Sequence, residues 1–189
     1  MTNVGNVTTL EQLAQEFDGL FRRRAFRLET LDYYDAENER EPFAHFLAGQ
    51  PVDPAWRDSW RARVRTIRAS GRTIQRVKVV SEPAGDYARF SLLHGAPASV
   101  EAGEDVRIIG RRKAHDEWLA FHDYWLFDDD LAAILVYDGS GRVVRVEWNR
   151  DATTLEWFCG ERDDLLALAS PLAKYVAQHD ITERKQAAA

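Results

Sequence analysis

Residues 54–80 read PAWRDSWRARVRTIRASGRTIQRVKVV, and this passage decides the fold class. Trp56, Trp60, Val64 and Ile67 recur at helical spacing, so a long helix is predicted from Pro54 to Ser70. Gly71 is a natural stop, because glycine takes the left-handed backbone that ends many helices. Ile74 to Val80 is rich in β-branched residues and predicts a strand. Helix, glycine and strand in succession are an α/β signal.

On the N-terminal side, Thr9 with Gln12 three residues on forms a capping-box pattern. It opens a predicted helix over about 9–24, with Leu10, Leu13, Phe17, Leu20 and Phe21 apolar and Arg22 to Arg24 at its end. This helix reads as an addition to the rest of the domain. Phe26 to Tyr34 alternates as a strand, and a short helix covers Glu41 to Ala48. On the C-terminal side a helix is expected from Asp86 to His94 and a strand from Val106 to Gly110. Three strands follow, Asp123 to Phe127, Leu131 to Tyr137 and Arg142 to Trp148. Asp138-Gly139-Ser140-Gly141 is a hairpin turn between the last two. A helix capped by Thr153 or Thr154 runs to about Ala169, and a last helical piece reaches His179 after Pro171. The expectation is an α/β (α+β) chain with a mixed sheet ending in an antiparallel meander and flanked by helices.

The 189 residues suit one domain, with the polar end 183–189 frayed. The net charge of −6 argues against general nucleic-acid binding, though not against a local basic patch. A lone cysteine, Cys159, excludes an intramolecular disulfide and fits a reducing compartment. No apolar run approaches a membrane span and no signal-peptide pattern opens the chain, so a cytoplasmic protein is expected.

The strongest candidate site is a basic stripe. Arg57, Arg61, Arg65, Arg68 and Arg72 recur at three- or four-residue steps, and Arg76 and Lys78 extend the run onto the strand. Arginine forks suit oxyanions, so the stripe would hold phosphate, nucleic acid or an acidic protein. The plainer account is a solvated face paired with Asp128 to Asp130 or Glu161 to Asp164. A second candidate lies beyond the central strand, where ligands of α/β sheets tend to bind. Glu82, Asp86, Tyr87 and Arg89 cluster there, although Asp86 also suits a helix cap. Aromatic residues crowd 118–127; strand alternation puts Asp123, Trp125 and Phe127 on one face and Tyr124 and Leu126 on the other. That is a two-sided core or an aromatic pocket.

His115, Asp116, His122, Asp123 and Asp128 have no recognised metal-ligand spacing, so no metal or other cofactor is expected. Cys159 reads as a small core residue. No nucleophile elbow, phosphate loop or dinucleotide fingerprint is present.

Several stretches are similar to an uncharacterised actinobacterial family of domains of unknown function. They are FRLETL at 26–31, Arg40-Glu41, FLAG at 46–49, RVKVVSEP at 76–83, DYARF at 86–90, AGEDVR at 102–107 and DYWLFDD at 123–129. The resemblance spans about Phe26 to Tyr175. It implies no known activity, but members often sit beside helix-turn-helix regulators. A more distant likeness is to half of a phospholipase-D-like domain. That family needs a His with a Lys two residues later, whereas here Lys113 precedes His115, so phosphodiesterase chemistry is not expected.

Three functional readings remain open. The first is a non-enzymatic regulatory protein acting with a helix-turn-helix partner through the Arg stripe. The second is an enzyme or ligand-binder for a phosphate-containing or nucleic-acid substrate, with Arg61, Arg65 and Arg68 on phosphates and Glu82 or Asp128 as acid or base. The third is a structural oligomer subunit.

Overall fold

A computed structural model describes residues 7–115 and 123–182. Eight strands form one mixed sheet: β1 (Val7–Thr8), β2 (Arg24–Glu29), β3 (Thr73–Val80), β4 (Asp105–Gly110), β5 (Tyr124–Phe127), β6 (Leu131–Tyr137), β7 (Val143–Asn149) and β8 (Ser170–Pro171). Their order is β1-β7-β6-β5-β2-β3-β4-β8. The central β2, β3 and β4 are parallel, and every other pairing is antiparallel. The expected meander is β5-β6-β7, and Asp138 holds its second turn by accepting from the Ser140 and Arg142 amides.

Helices α1 (Leu10–Glu16), α2 (Arg40–Leu47), α3 (Asp58–Ala69), α4 (Asp86–Phe90) and α5 (Ala96–Ala102) precede the meander; α6 (Ala152–Leu168) and α7 (Leu172–Gln178) follow it. Strand alternation gives the sheet two unlike faces. On one face Ala25, Ile74, Trp125, Phe127, Ala133 and Leu135 pack under α1, α3 and α5. On the other, Phe26, Leu28, Val77, Val79, Tyr124 and Leu126 pack under Leu155, Phe158 and Leu165 of α6.

Several boundaries differ from expectation. The N-terminal helix stops at Glu16 rather than near Arg24, because the Asp128 carboxylate takes the amides of Arg22, Arg23 and Arg24 and turns that segment into β2. Leu13 of α1 and Phe17 just after it are 2% and 3% exposed, so this helix shares the core of the sheet. The first strand ends at Glu29, before the expected Tyr34, because the Thr30 amide and hydroxyl are taken by Asp123. The helix from Asp86 continues as a wider π turn, Ser91–Gly95, into α5 and so passes Pro97. Asp151, not Thr153 or Thr154, caps α6 by accepting from the Thr154 amide. The tail 183–189 lies outside the described residues, among which no helix is long and apolar enough to cross a membrane.

Candidate functional site

Charged residues at alternate positions of two neighbouring strands build the site. In β2 they are Arg27 and Glu29, and in β3 Arg76 and Lys78. The register sets Arg27 beside Arg76 on one side and beside Trp125 of β5 on the other, and Glu29 beside Lys78. All four side chains therefore stand on the face covered by α1 and α3. The helices do not close over them: a cavity of about 950 Å³ remains, within the usual range for small-ligand sites.

One carboxylate serves three cations in this row. Glu29 accepts from Arg76 at 3.0 Å and from Lys78 at 3.2 Å, and lies 3.7 Å from Arg27. Burial alone would raise its pKa, but Arg76, Lys78 and Arg27 outweigh burial and hold it well below the usual carboxylate range. Arg76 also pairs with Glu104 at 2.7 Å, and Glu104 accepts from the Trp60 indole at 2.8 Å. Burial opposes the Arg76 charge, yet Glu104 and Glu29 keep its pKa above the usual value. Glu104 and Glu29 are thus structural counter-ions that the sequence reading missed.

Arg27 is 6% exposed and rests over the Trp125 ring at 5.5 Å. Its Nη2 donates to the Tyr137 hydroxyl, which donates to Asp123. Asp123 is saturated, because it also accepts from Tyr34 at 2.5 Å and from Thr30. Buried Nη1 of Arg27 has no hydrogen-bond partner among the described residues.

Arg57 reaches the same cavity from the turn preceding α3. Its Nη2 donates to Ser99 at 2.8 Å, its Nη1 lies 4.0 Å from Glu39, and its buried Nε is without a partner among the described residues. Burial, and then the charge of nearby Arg76, press its pKa down. Arg57 and Arg76 repel each other in this buried place, an electrostatic setting that favours a nearby anion.

The rim is a segment that leaves β2 and lies against the β6–β7 hairpin. Asp35 bonds both Arg40 and Arg142, and its amide donates to the Gly141 carbonyl. Gly141 is required there: its φ is +83°, and a Cβ would lie 2.7 Å from the Tyr33 carbonyl oxygen. Tyr87 closes the inner wall, donating to Glu39 at 2.5 Å.

The expected stripe is not one face. Arg57 and Arg76 enter the cavity. Arg61 pairs with Asp58 and Glu101 on the surface. Arg72, past the end of α3, donates to the Asp18 and Phe21 carbonyls and lies over the Phe21 ring. Only Arg65 and Arg68 remain exposed on α3, and Arg68 packs beside Gly103. The aspartates 128–130 do not pair with the stripe; Asp129 pairs with Arg24 and Arg162. Helical spacing predicts a common face only as far as the helix lasts, and α3 covers 58–69.

Tyr87 of the second candidate and Trp125 of the aromatic stretch line the cavity, while Asp123 sits one layer behind it. Arg89 donates to the Thr182 carbonyl away from it, and Asp86 starts α4 without lining it. Neither proposed acid–base residue is near it. Glu82 meets His179 at 3.0 Å, and Asp128 is occupied by three backbone amides. Cys159 is half-buried at the edge of the second face, and burial raises its thiol pKa. Among the described residues no cluster could hold a metal ion; Asp116, Trp118, Phe121 and His122 lie outside them.

The missed residues had a faint signal. Arg-x-Glu at 27–29 puts charges on alternate positions of β2, as Arg76 and Lys78, already read as part of the basic run, do on β3. No curated protein matches the chain. The sequence profile of one family extends over residues 11–177, from α1 to α7, and the chain belongs to that family, a domain of unknown function designated DUF6879.

Proposed function

We propose that this domain is a binding module that captures a small anionic molecule in the cavity above β2 and β3. The carrying observation is the convergence of cations on one cavity: Arg27, Arg57, Arg76 and Lys78 line it, and three of them share Glu29. Charge-assisted hydrogen bonds from such guanidiniums suit an oxyanion. Binding is favoured over catalysis because Glu82 and Asp128 are engaged elsewhere. This selects the ligand-binder from the readings that the sequence left open. The regulatory role fits beside it: the module would sense its ligand in the cytoplasm of an actinobacterium and pass the state to a helix-turn-helix regulator, with exposed Arg65 and Arg68 available to an acidic surface.

Thermal unfolding of the full chain in sodium acetate or sodium phosphate, against sodium chloride of equal ionic strength, tests the binding reading. Stabilisation that rises with the logarithm of anion concentration, reaching about 2.7 kcal/mol at a hundredfold excess over Kd, is expected for at least one oxyanion and should vanish in Arg57→Gln. Identical curves in all three salts would overturn it.

A further inference from the structure

A carboxyl group lies in the apolar layer beneath α6, on the face of the sheet opposite the cavity. Leu155, Phe158, Glu161 and Leu165 follow one another at three- or four-residue steps, so Glu161 falls in the buried stripe of the helix. It is 4% exposed, and neither of its oxygens has a hydrogen-bond partner among the described residues. Tyr124 of β5 lies beside it, with a buried hydroxyl that is likewise unpartnered. Cys159 and Arg162 are its neighbours on α6. Arg162 is turned to Asp129 of the β5–β6 turn and to Asp163, and Asp129 also holds Arg24. The rest of the layer is apolar, with Phe26, Leu28 and Val77 at its centre. Among the described residues no cation is therefore aimed at Glu161.

Such a layer tolerates a neutral carboxyl group, whereas a carboxylate needs water or a partner. We propose that α6 is a proton-held cover: with Glu161 protonated the helix lies closed on the sheet, and loss of that proton opens the contact between α6 and β5, where water hydrates the carboxylate and Leu155 and Phe158 are uncovered. The far end of the helix stays tied, because Arg107 donates to the Leu166 carbonyl at 2.9 Å and Arg162 holds Asp129. The part that lifts is 152–161. Its direction with pH follows from burial, which outweighs the Tyr124 hydroxyl and pushes the Glu161 acid up to about 7 in the closed helix, against 4.5 for a hydrated one. The open form releases the proton first, so opening becomes easier as pH rises from about 4.5 to 7 and levels off above. The switch is independent of the anion-binding reading.

Amide hydrogen exchange of the full chain at pH 6 and pH 8, each rate divided by that of an unstructured amide at the same pH, reads the opening. The amides of Phe158 and Glu161 are expected to exchange through an opening more populated than the one that frees Val77 in β3. That population should rise about tenfold between the two pH values, as a proton released near 4.5 rather than 7 implies. Glu161→Gln should abolish the rise. Glu161→Leu, which also removes the unpartnered oxygens, should give the same flat response. Exchange of the α6 amides in step with Val77 at both pH values would overturn the proposal, because the charge would then weaken the whole fold and not release one helix. No rise in the wild type, or a rise that persists in both variants, would overturn it as well.

Discussion

The two faces of β2, β3 and β5 are made of the same strands and solve opposite problems. Beneath α6, Phe26, Leu28, Val77, Val79, Tyr124 and Leu126 form an apolar layer covered by a helix of 17 residues. One residue along each strand, Arg27, Glu29, Arg76, Lys78 and Trp125 look the other way, into a cavity that α1 and α3 leave open. The first face is held by burial of apolar area, which needs no particular geometry. The second is held by ion pairs and hydrogen bonds that need exact partners, since a buried charge without one is costly. Specific recognition belongs on the second face, because there the charged side chains line an open cavity.

The largest effects expected from breaking this contrast come from one residue on each face. Asp123→Leu removes the acceptor of Thr30, Tyr34 and Tyr137 and a counter-charge of Arg27, and should cost about 3–5 kcal/mol in chemical denaturation. Phe158→Ala on the apolar face should cost a similar 3–5 kcal/mol by leaving a cavity, and the folded fraction should still bind anions as the wild type does. Loss of anion binding in Phe158→Ala would show that the faces are not independent.

The faces should also differ in their response to pH. Glu29 has a folded pKa below its ordinary value, so its contribution is present above about pH 4.5 and is lost as pH falls below that value. Glu161 on α6, 4% exposed beside Tyr124, is the reverse case: burial pushes it up to about 7. Between about pH 4.5 and 7 the unfolded chain has released that proton and the folded chain has not, so stability falls as pH rises through this window and then levels off. Glu161→Gln should remove the decline and raise stability at pH 8 by about 1–3 kcal/mol, read from urea midpoints at pH 5 and 8. Glu29→Gln should instead reduce the loss of stability on acidification below about pH 4.5, the remainder coming from Asp35, Asp128, Asp129, Asp138 and Asp151, whose pKa values are also lowered. A Glu161→Gln protein that declines as the wild type does would assign the pH dependence elsewhere.

The smallest effect is expected outside both faces. Arg65→Ala, at an exposed position of α3, should change stability by less than about 0.5 kcal/mol and leave anion binding unchanged. A clear loss of binding would return the site to the outer surface of the helix.

Much of the architecture was legible because it is local. The α3–Gly71–β3 passage, the β5-β6-β7 meander and the alternation of Trp125 with Tyr124 follow from periodicity and turn chemistry. Less legible were the places where distant polar groups intervene. Asp128, 104–106 residues away from Arg22 to Arg24, ends the first helical region early. Asp123, 93 residues from Thr30, stops β2. The two-residue strands β1 and β8 owe their existence to their neighbours, Glu147 and Val146 for one and Arg107 and Ile108 for the other.

By itself the sequence determined the class of fold, the apolar positions of α3 and the meander, and the presence of an arginine-rich segment, because side-chain periodicity and glycine conformations act over a few residues. Only the tertiary structure decided which arginines matter. Arg57 and Arg76 share a cavity with Arg27 because parallel pairing of β2 with β3 sets Arg27 opposite Arg76 while the turn before α3 brings Arg57 over them. Strand order and register join residues 27, 57 and 76, and no spacing along the chain encodes that pairing.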